Sequence, residues 1–199
     1  MSDAPSRPGP PGDLEQLRAL LGVWFDAPSS ADDAAGLVAP HLTFNRAPAP
    51  PVQDGPIDIL VSENQGVWLW GRTPKGVFVE RENRPGAPWT TTGEDEVAFW
   101  LHHAAFEALW AMPATRSAML LSAAQVEALV ARTEPMPIGE WRWPGSNRIH
   151  RHGPALLSVS ADGQGLWVVA AVPHEADLSW ADGLGFTWDE CDTRTPPAP

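Results

Sequence analysis

The 199-residue sequence has one cysteine, one lysine and no tyrosine. A lone Cys191 cannot form an internal disulfide, which is typical of a protein from a reducing compartment. Its neighbours Glu190 and Asp192 disfavour the thiolate, so we expect an unreactive thiol. The sequence also has no secretory-type apolar leader and no run of about 18 apolar residues that could span a bilayer. These absences predict a cytoplasmic protein without a membrane partner.

Positive charge is scarce as well. Lys and Arg total 13 against 25 Asp and Glu, which gives a formal net charge of −12. A protein that binds phosphates needs a basic surface, so the sequence predicts no nucleic-acid partner. A negative field favours fast association with a basic protein. The alternative is an acidic protein without such a partner, because net charge by itself favours solubility.

Motifs that carry chemistry are missing too. The sequence has no G-x-S-x-G, no G-x-x-x-x-G-K-[ST], no H-E-x-x-H and no paired cysteines. We therefore assign no catalytic residue, no metal ligand and no cofactor. His150 and His152 have a spacing that would suit two metal ligands on a strand, but Arg148 and Arg151 would repel a cation. This segment is interpreted as a basic patch.

The periodicity that is present predicts one α+β domain over residues 13–190, between Pro-rich disordered tails at 1–12 and 191–199. The expected architecture is a central, mainly antiparallel sheet flanked by helices. Apolar spacing, turn residues and capping residues predict these elements: helix 14–25, strands 57–62, 67–72 and 76–82, a long helix capped by Thr92 or Gly93, helix 122–133, strands 155–160 and 165–172, and a short helical turn at 174–180.

The stretch ENQGVWLWGR contains the most informative strand. Side chains alternate along a strand, so Trp68 and Trp70 face one side while Leu69 faces the other. Both sides are apolar, which indicates a central strand covered on both faces. The alternative is an exposed Trp pair that anchors an interface. The predicted core residues are Trp68, Trp70, Leu69, Leu101 and Trp167.

Partner contacts are predicted around this scaffold. Trp141 and Trp143 precede Pro144, which limits the segment to a sheet edge or a loop and favours exposure. Glu80 and Glu82 share one side of their strand, and the nearby Arg81 indicates a solvated face rather than acid–base catalysis. The predicted partner-binding residues are Glu63, Asn64, Glu80, Glu82, Trp141 and Trp143. His102 and His103 are expected to be hydrogen-bonded or on the surface.

Residues 57–79, read as IDILVSENQGVWLWG and then GVFVE, resemble the SUKH superfamily. In that family an apolar strand, an ENQG-like turn and a W-x-W strand precede a Trp and a helix, and here Trp89 and VAFWLHHAAFEALW follow in that order. The sequence departs from the family after LEQLRALLG, where the usual Leu-Pro is missing.

The resemblance implies an α+β domain with a central sheet, no enzymatic activity and no cofactor. It also implies, for many bacterial members, an immunity protein that binds and neutralises a cognate toxin, often a nuclease. A basic toxin domain would suit the charge of −12. Two alternatives stay open: a cytosolic SUKH-like scaffold or regulatory protein without a toxin, and an enzyme or small-ligand binder with a deep polar pocket.

Overall fold

The structure is a computed structural model that describes residues 52–136, 138–143, 145–162, 165–189 and 192–193. The predicted helix 14–25, the predicted tail 1–12 and Cys191 lie outside the described residues. Asp192–Thr193, inside the predicted tail 191–199, form a short strand instead. Within the described residues, no helix combines the length and the apolar character needed to cross a membrane.

The first sheet is an antiparallel meander in the order β1-β2-β3-β4-β5. Gly66 and Gly76 close the turns on either side of β3 with φ of 72° and 79°, a left-handed conformation that glycine adopts without a Cβ clash. The strands are β1 Val52–Asp54, β2 Ile57–Ser62, β3 Trp68–Arg72, β4 Phe78–Glu82 and β5 Thr90–Thr91.

The second sheet is also antiparallel and has the order β11-β6-β10-β9-β8-β7. Its centre is the hairpin of β9 and β10, which the sequence predicted from two apolar runs around a turn. Pro135 lies in the edge strand, where its missing N–H costs no ladder bond. The strands are β6 Ala114–Leu121, β7 Glu134–Pro135, β8 Ser146–His152, β9 Ala155–Asp162, β10 Gly165–Val172 and β11 Asp192–Thr193.

Helix α1 spans Glu96–Ala111, and its N-cap is Asp95, whose carboxylate accepts a hydrogen bond from the Ala98 N–H at 2.9 Å. The predicted cap at Thr92 or Gly93 is therefore wrong by two or three residues. Helix α2 spans Ala123–Val130 and begins with a capping box between Ser122 and Gln125. A 3-10 helix follows β10 at Glu175–Leu184.

Helix α1 lies between the two sheets and is buried on all sides from Ala98 to Leu109. Its Phe99 stacks on Phe78 of β4 at 4.4 Å between ring centroids, and the helix packs against β9 and β10 on the other side. The far face of the second sheet packs against α2 and the 3-10 helix. The order of layers is thus sheet, helix, sheet, helices.

The α+β class and the antiparallel pairing are confirmed, but the strands divide between two sheets where the sequence predicted one central sheet. The reason lies in α1. A helix that is apolar on all sides must be covered on all sides, and a single sheet covers only one of them.

The predicted core residues of β3 and α1 are buried. Trp70 and Leu101 are fully shielded from solvent, and Leu69 and Trp68 are 6% and 9% exposed. Trp167 differs from its prediction, since it is only partly buried and packs at the margin of the cluster around α1. It lies near the hairpin end of β10, opposite Ser160 of β9.

Candidate functional site

A pocket of about 220 Å³ opens beside β3 and β4. Strands β3, β4 and β5 form one side of it, and the chain before β8 contributes Arg142. Its lining combines an indole, two carboxylates and three guanidinium groups. The lining residues are Trp68, Glu80, Arg81, Glu82, Arg84, Ala87, Pro88, Thr90 and Arg142.

Glu80 is the buried acid of this pocket, with 1% of its surface exposed. Its expected place on a solvated face is wrong. Glu80 is paired with Trp70 across β3 and β4, and opposite residues on neighbouring strands share a face, so its side chain points inward with Trp70. The charge of Arg81 did not reveal this, because successive side chains of a strand point to opposite faces.

The Glu80 carboxylate accepts hydrogen bonds from the Trp68 indole and from the Arg142 backbone N–H, but no guanidinium in an ion pair with it lies at hydrogen-bond distance. Its Oε2 accepts a hydrogen bond from the Trp68 Nε1–H at 3.1 Å. Its Oε1 lies 3.7 Å from the Arg142 Nη1, which is too long for a hydrogen bond. Burial raises the pKa of Glu80 to about 6, and the Trp68 indole and Arg142 offset only part of that effect. The nearby Glu94 carboxylate contributes a small part of this increase in pKa.

This geometry predicts a pH effect on stability. The folded state takes up a proton at Glu80 near pH 6, whereas the unfolded chain does so near its ordinary pKa of 4.5. Between those values the folded state holds more protons, so the contribution of Glu80 to stability rises as pH falls through this window. Relative to Glu80→Gln, the wild type should gain about 2 kcal/mol of unfolding free energy between about pH 7.5 and about pH 4.

Urea unfolding of both proteins across that pH range measures the difference, and the other titrating groups cancel in the comparison. Glu127→Gln, a change at an exposed carboxylate on α2, serves as the matched control. If the difference in unfolding free energy between the wild type and Glu80→Gln did not change with pH, that result would contradict the burial of Glu80.

The three rim arginines are held unequally. Arg81 lies 2.9 Å from the Asp54 carboxylate and over the Trp89 ring at 5.0 Å. Arg84 pairs with Glu82. Arg142, by contrast, has 52% of its side chain exposed and only the distant contact to Glu80 among the described ion pairs. It is the loosely held cation of the pocket.

A second buried acid, Glu94, lies behind the pocket with 2% of its side chain exposed. Its carboxylate lies 2.7 Å from the His102 Nδ1 and accepts hydrogen bonds from the Gly139 N–H at 3.1 Å and the Trp141 Nε1–H at 3.2 Å. Trp141 is fully buried, so its predicted exposure is wrong. The indole is drawn into the core because Glu94 accepts its only polar hydrogen while the ring stacks on His102.

Both helix histidines are buried. The predicted hydrogen bond is present for His102, which contacts Glu94, whereas the prediction for His103 is wrong. His103 packs among the rings of Trp70, Phe99 and Trp141, and neither of its ring nitrogens has a hydrogen-bond partner within the described residues. Burial holds the pKa of His103 well below its usual value. Glu94 and His102 resemble an acid–base pair, but their side chains are shielded from solvent and contact no open surface. Their role in this structure is to anchor α1 to the chain around Trp141.

The other predicted contacts fall in different places. Glu63 is buried, because its carboxylate accepts hydrogen bonds from the Gln65 and Val67 N–H groups of its own turn. Asn64, in the same turn, is partly buried. Glu82 lies on the pocket rim. Trp143 stacks on the pocket residue Trp68 at 5.8 Å. Only part of the predicted set therefore meets at one surface.

The predicted basic patch on β8 is wrong. Arg148 pairs with Glu140 at 2.7 Å and Arg151 pairs with Glu134 at 2.7 Å, so each positive charge is neutralised locally. His150 is buried, with its Nδ1 3.1 Å from the Thr133 hydroxyl. Within the described part of the chain, no three His, Cys, Asp or Glu side chains are grouped as a metal site would require.

Sequence reasoning missed Arg142 as a pocket residue and Glu94 as a buried acceptor. Arg142 carried no signal, because it comes from a loop far along the chain from β4. Glu94 carried a misleading signal, since an acidic residue before a helix is usually explained by the helix dipole.

No protein-family model, no curated protein and no solved structure matches this chain.

Proposed function

We propose that this chain is a non-enzymatic, cytoplasmic protein-binding domain that recognises a basic protein. One observation carries the proposal: seven of the eight described arginines, all except Arg132, lie near a carboxylate, while the chain keeps a net charge of −12. Each of the following arginines has a carboxylate oxygen at most 3.8 Å away: Arg72, Arg81, Arg84, Arg116, Arg142, Arg148 and Arg151.

This pattern leaves no unpaired basic cluster among those seven residues for phosphates to bind, and the net charge of the chain is negative. A field of that sign accelerates encounter with a positively charged protein and disfavours nucleic acid. Binding of this kind needs neither a catalytic residue nor a cofactor.

The class of partner comes from the SUKH resemblance alone, which implies a bacterial toxin that the domain binds and neutralises. A nuclease toxin fits the electrostatics, because its own substrate is a polyanion and its binding surface is therefore basic. We place the contact on the pocket face, around Glu82, Trp143 and Arg142, since Glu63 and Trp141 are buried away from it.

Partner capture tests the proposal. The tagged protein is incubated with lysate of its own cell, washed at low or high salt, and the bound proteins are identified by mass spectrometry. We expect a basic, nuclease-like polypeptide that is retained at low salt and partly released at high salt, because salt screens the exposed charges. Addition of the purified domain should inhibit the nuclease activity of that polypeptide.

A pair of charge reversals locates the contact. Glu82→Lys lies on the pocket rim and Glu127→Lys on α2, on the other side of the second sheet. Both change the net charge equally, so only a local contact makes Glu82→Lys the more damaging for capture. Retention of neutral or acidic proteins only, or of nothing, would rule out the basic-partner proposal.

A further inference from the structure

We propose that the pocket at Glu80 receives the guanidinium group of an arginine side chain from the partner, and that Arg142 stands in for that group when the partner is absent. The inference rests on the proposed function, because a basic protein would supply the arginine. It adds the chemical identity of the group that is recognised and the residue that recognises it.

The first support is an acceptor without a close cation. Glu80 is 1% exposed and lines the pocket, and the Arg142 backbone N–H donates to its carboxylate, yet the Arg142 guanidinium comes no closer to Oε1 than 3.7 Å. A buried carboxylate is stabilised when a cation approaches to hydrogen-bond distance, and a carboxylate with a guanidinium fork is the strongest common pair of this type. The pocket therefore holds an acceptor for one more short, charged hydrogen bond.

The second support is the wall beside that acceptor. Trp68 lines the pocket and is backed by Trp143, whose ring is stacked on it with an interplanar angle of 19°. A planar guanidinium is attracted to the face of an indole. When it is stacked there, its N–H groups stay free to donate to a carboxylate in the plane of the guanidinium. The indole N–H already holds Glu80 Oε2 at 3.1 Å, so the carboxylate and the ring have a fixed relation.

The third support is that the resident cation can leave. Arg142 lies outside the strands and has half of its side chain in solvent. Arg81 and Arg84 are not equivalent, because Asp54 and Glu82 hold them. If the guanidinium of an incoming arginine displaced that of Arg142, the 3.7 Å contact to Glu80 Oε1 would be exchanged for a short hydrogen bond. Glu80 would then keep a cationic partner throughout. The competing interpretation is an anion site made by the three rim guanidinium groups.

A matched pair of small probes separates these interpretations. N-acetylarginine methylamide carries the guanidinium, and N-acetylcitrulline methylamide has the same shape without the charge. Each is titrated into the full-length, ¹⁵N-labelled protein while the Trp68 Nε1–H resonance is followed by NMR, and inorganic phosphate serves as the anionic probe. We expect the arginine probe to shift this resonance and to bind at least about tenfold more tightly than the citrulline probe.

Two variants complete the test. Arg142→Gln should bind the arginine probe several-fold more tightly, because it removes the internal competitor. Glu80→Gln keeps the acceptor for the Trp68 N–H and should lose at least about tenfold in affinity, whereas Glu127→Gln should bind like the wild type. If Glu80→Gln does not fold, the direction of the Arg142→Gln effect and the citrulline comparison decide the question.

The inference is overturned if arginine and citrulline bind equally, if phosphate rather than arginine shifts Trp68, or if Arg142→Gln weakens the arginine probe. These results are distinct from failure of the proposed function. Salt-sensitive capture of a basic protein without probe binding would remove the pocket assignment alone. Probe binding without any basic partner would remove the proposed function and keep the guanidinium pocket.

Discussion

Replacement of Trp141 by alanine is expected to lower the free energy of unfolding by about 4 kcal/mol, which is within the range for truncating a large buried aromatic residue. Trp141 is fully buried at the centre of an aromatic cluster. Its ring lies 3.6 to 5.8 Å, between centroids, from four other rings: those of Trp70, His102, His103 and Phe106. Loss of this side chain leaves a cavity where α1 meets the meander sheet.

The same substitution has an electrostatic cost. The Trp141 Nε1–H donates to Glu94 at 3.2 Å, and a buried carboxylate that loses a donor is left partly unsatisfied. Trp141→Phe separates the two effects, since it keeps most of the ring and removes the donor. Its loss should be about 1–3 kcal/mol, which is smaller than that of the alanine variant.

The neighbouring Trp143 provides the control. It is only partly buried and has the Trp68 stacking contact, so Trp143→Ala should cost about 1 kcal/mol. Urea unfolding followed by circular dichroism measures all three variants. Equal midpoints for Trp141→Ala and Trp143→Ala would show that Trp141 is not the buried member of the pair.

Elements set by neighbouring residues could be predicted from the sequence. Strand β2 begins and ends where the apolar run IDILVS does, because turn residues follow it directly. The pairing of β9 with β10 follows from two apolar runs joined by a short turn. The N-terminus of α2 is marked by Ser122 and Gln125 three residues later, which satisfy each other's backbone donors. In each case the deciding contacts span few residues.

Burial of polar and aromatic residues could not be predicted in this way, because distant residues decide it. Glu80 is covered by a chain segment that includes Arg142, and Trp141 is held by Glu94, which is 47 residues earlier in the chain. Local charge suggested a solvated Glu80, and Pro144 suggested an exposed Trp141. Both signals describe the backbone or the immediate sequence neighbours. They carry no information about which distant residues pack over Glu80 and Trp141.

The candidate site illustrates the same limit. Glu82 and Trp143 were predicted as contacts and do lie at the pocket or against its wall. Their convergence with Arg142 depends on α1, which joins the two sheets and so brings the chain before β8 against β3 and β4. The sequence pattern predicts a single sheet. It therefore cannot predict a pocket that forms where the meander sheet meets the chain segment before β8.

Substitution of Gly71 by alanine is expected to destabilise the protein by about 2 kcal/mol, through overpacking in the middle of the meander sheet. A Cβ at this position would lie 2.6 Å from the Ile57 Cγ2 and 2.8 Å from the Asp58 carbonyl oxygen. The Ile57 methyl could rotate, but the carbonyl belongs to β2, which pairs with β3 through Asp58 and Arg72. Relief of the clash therefore requires the strand pair to separate.

Gly183 is the control for the intrinsic effect of the substitution. A Cβ there meets no atom within 4 Å, and Gly183, like Gly71, does not have the positive φ that penalises alanine. Gly183→Ala should be neutral or slightly stabilising, since alanine loses less backbone entropy on folding. A Gly71→Ala protein with the thermal midpoint of Gly183→Ala would mean that β2 does not approach β3 as closely as 2.8 Å requires, and the central position of β3 would then be in error.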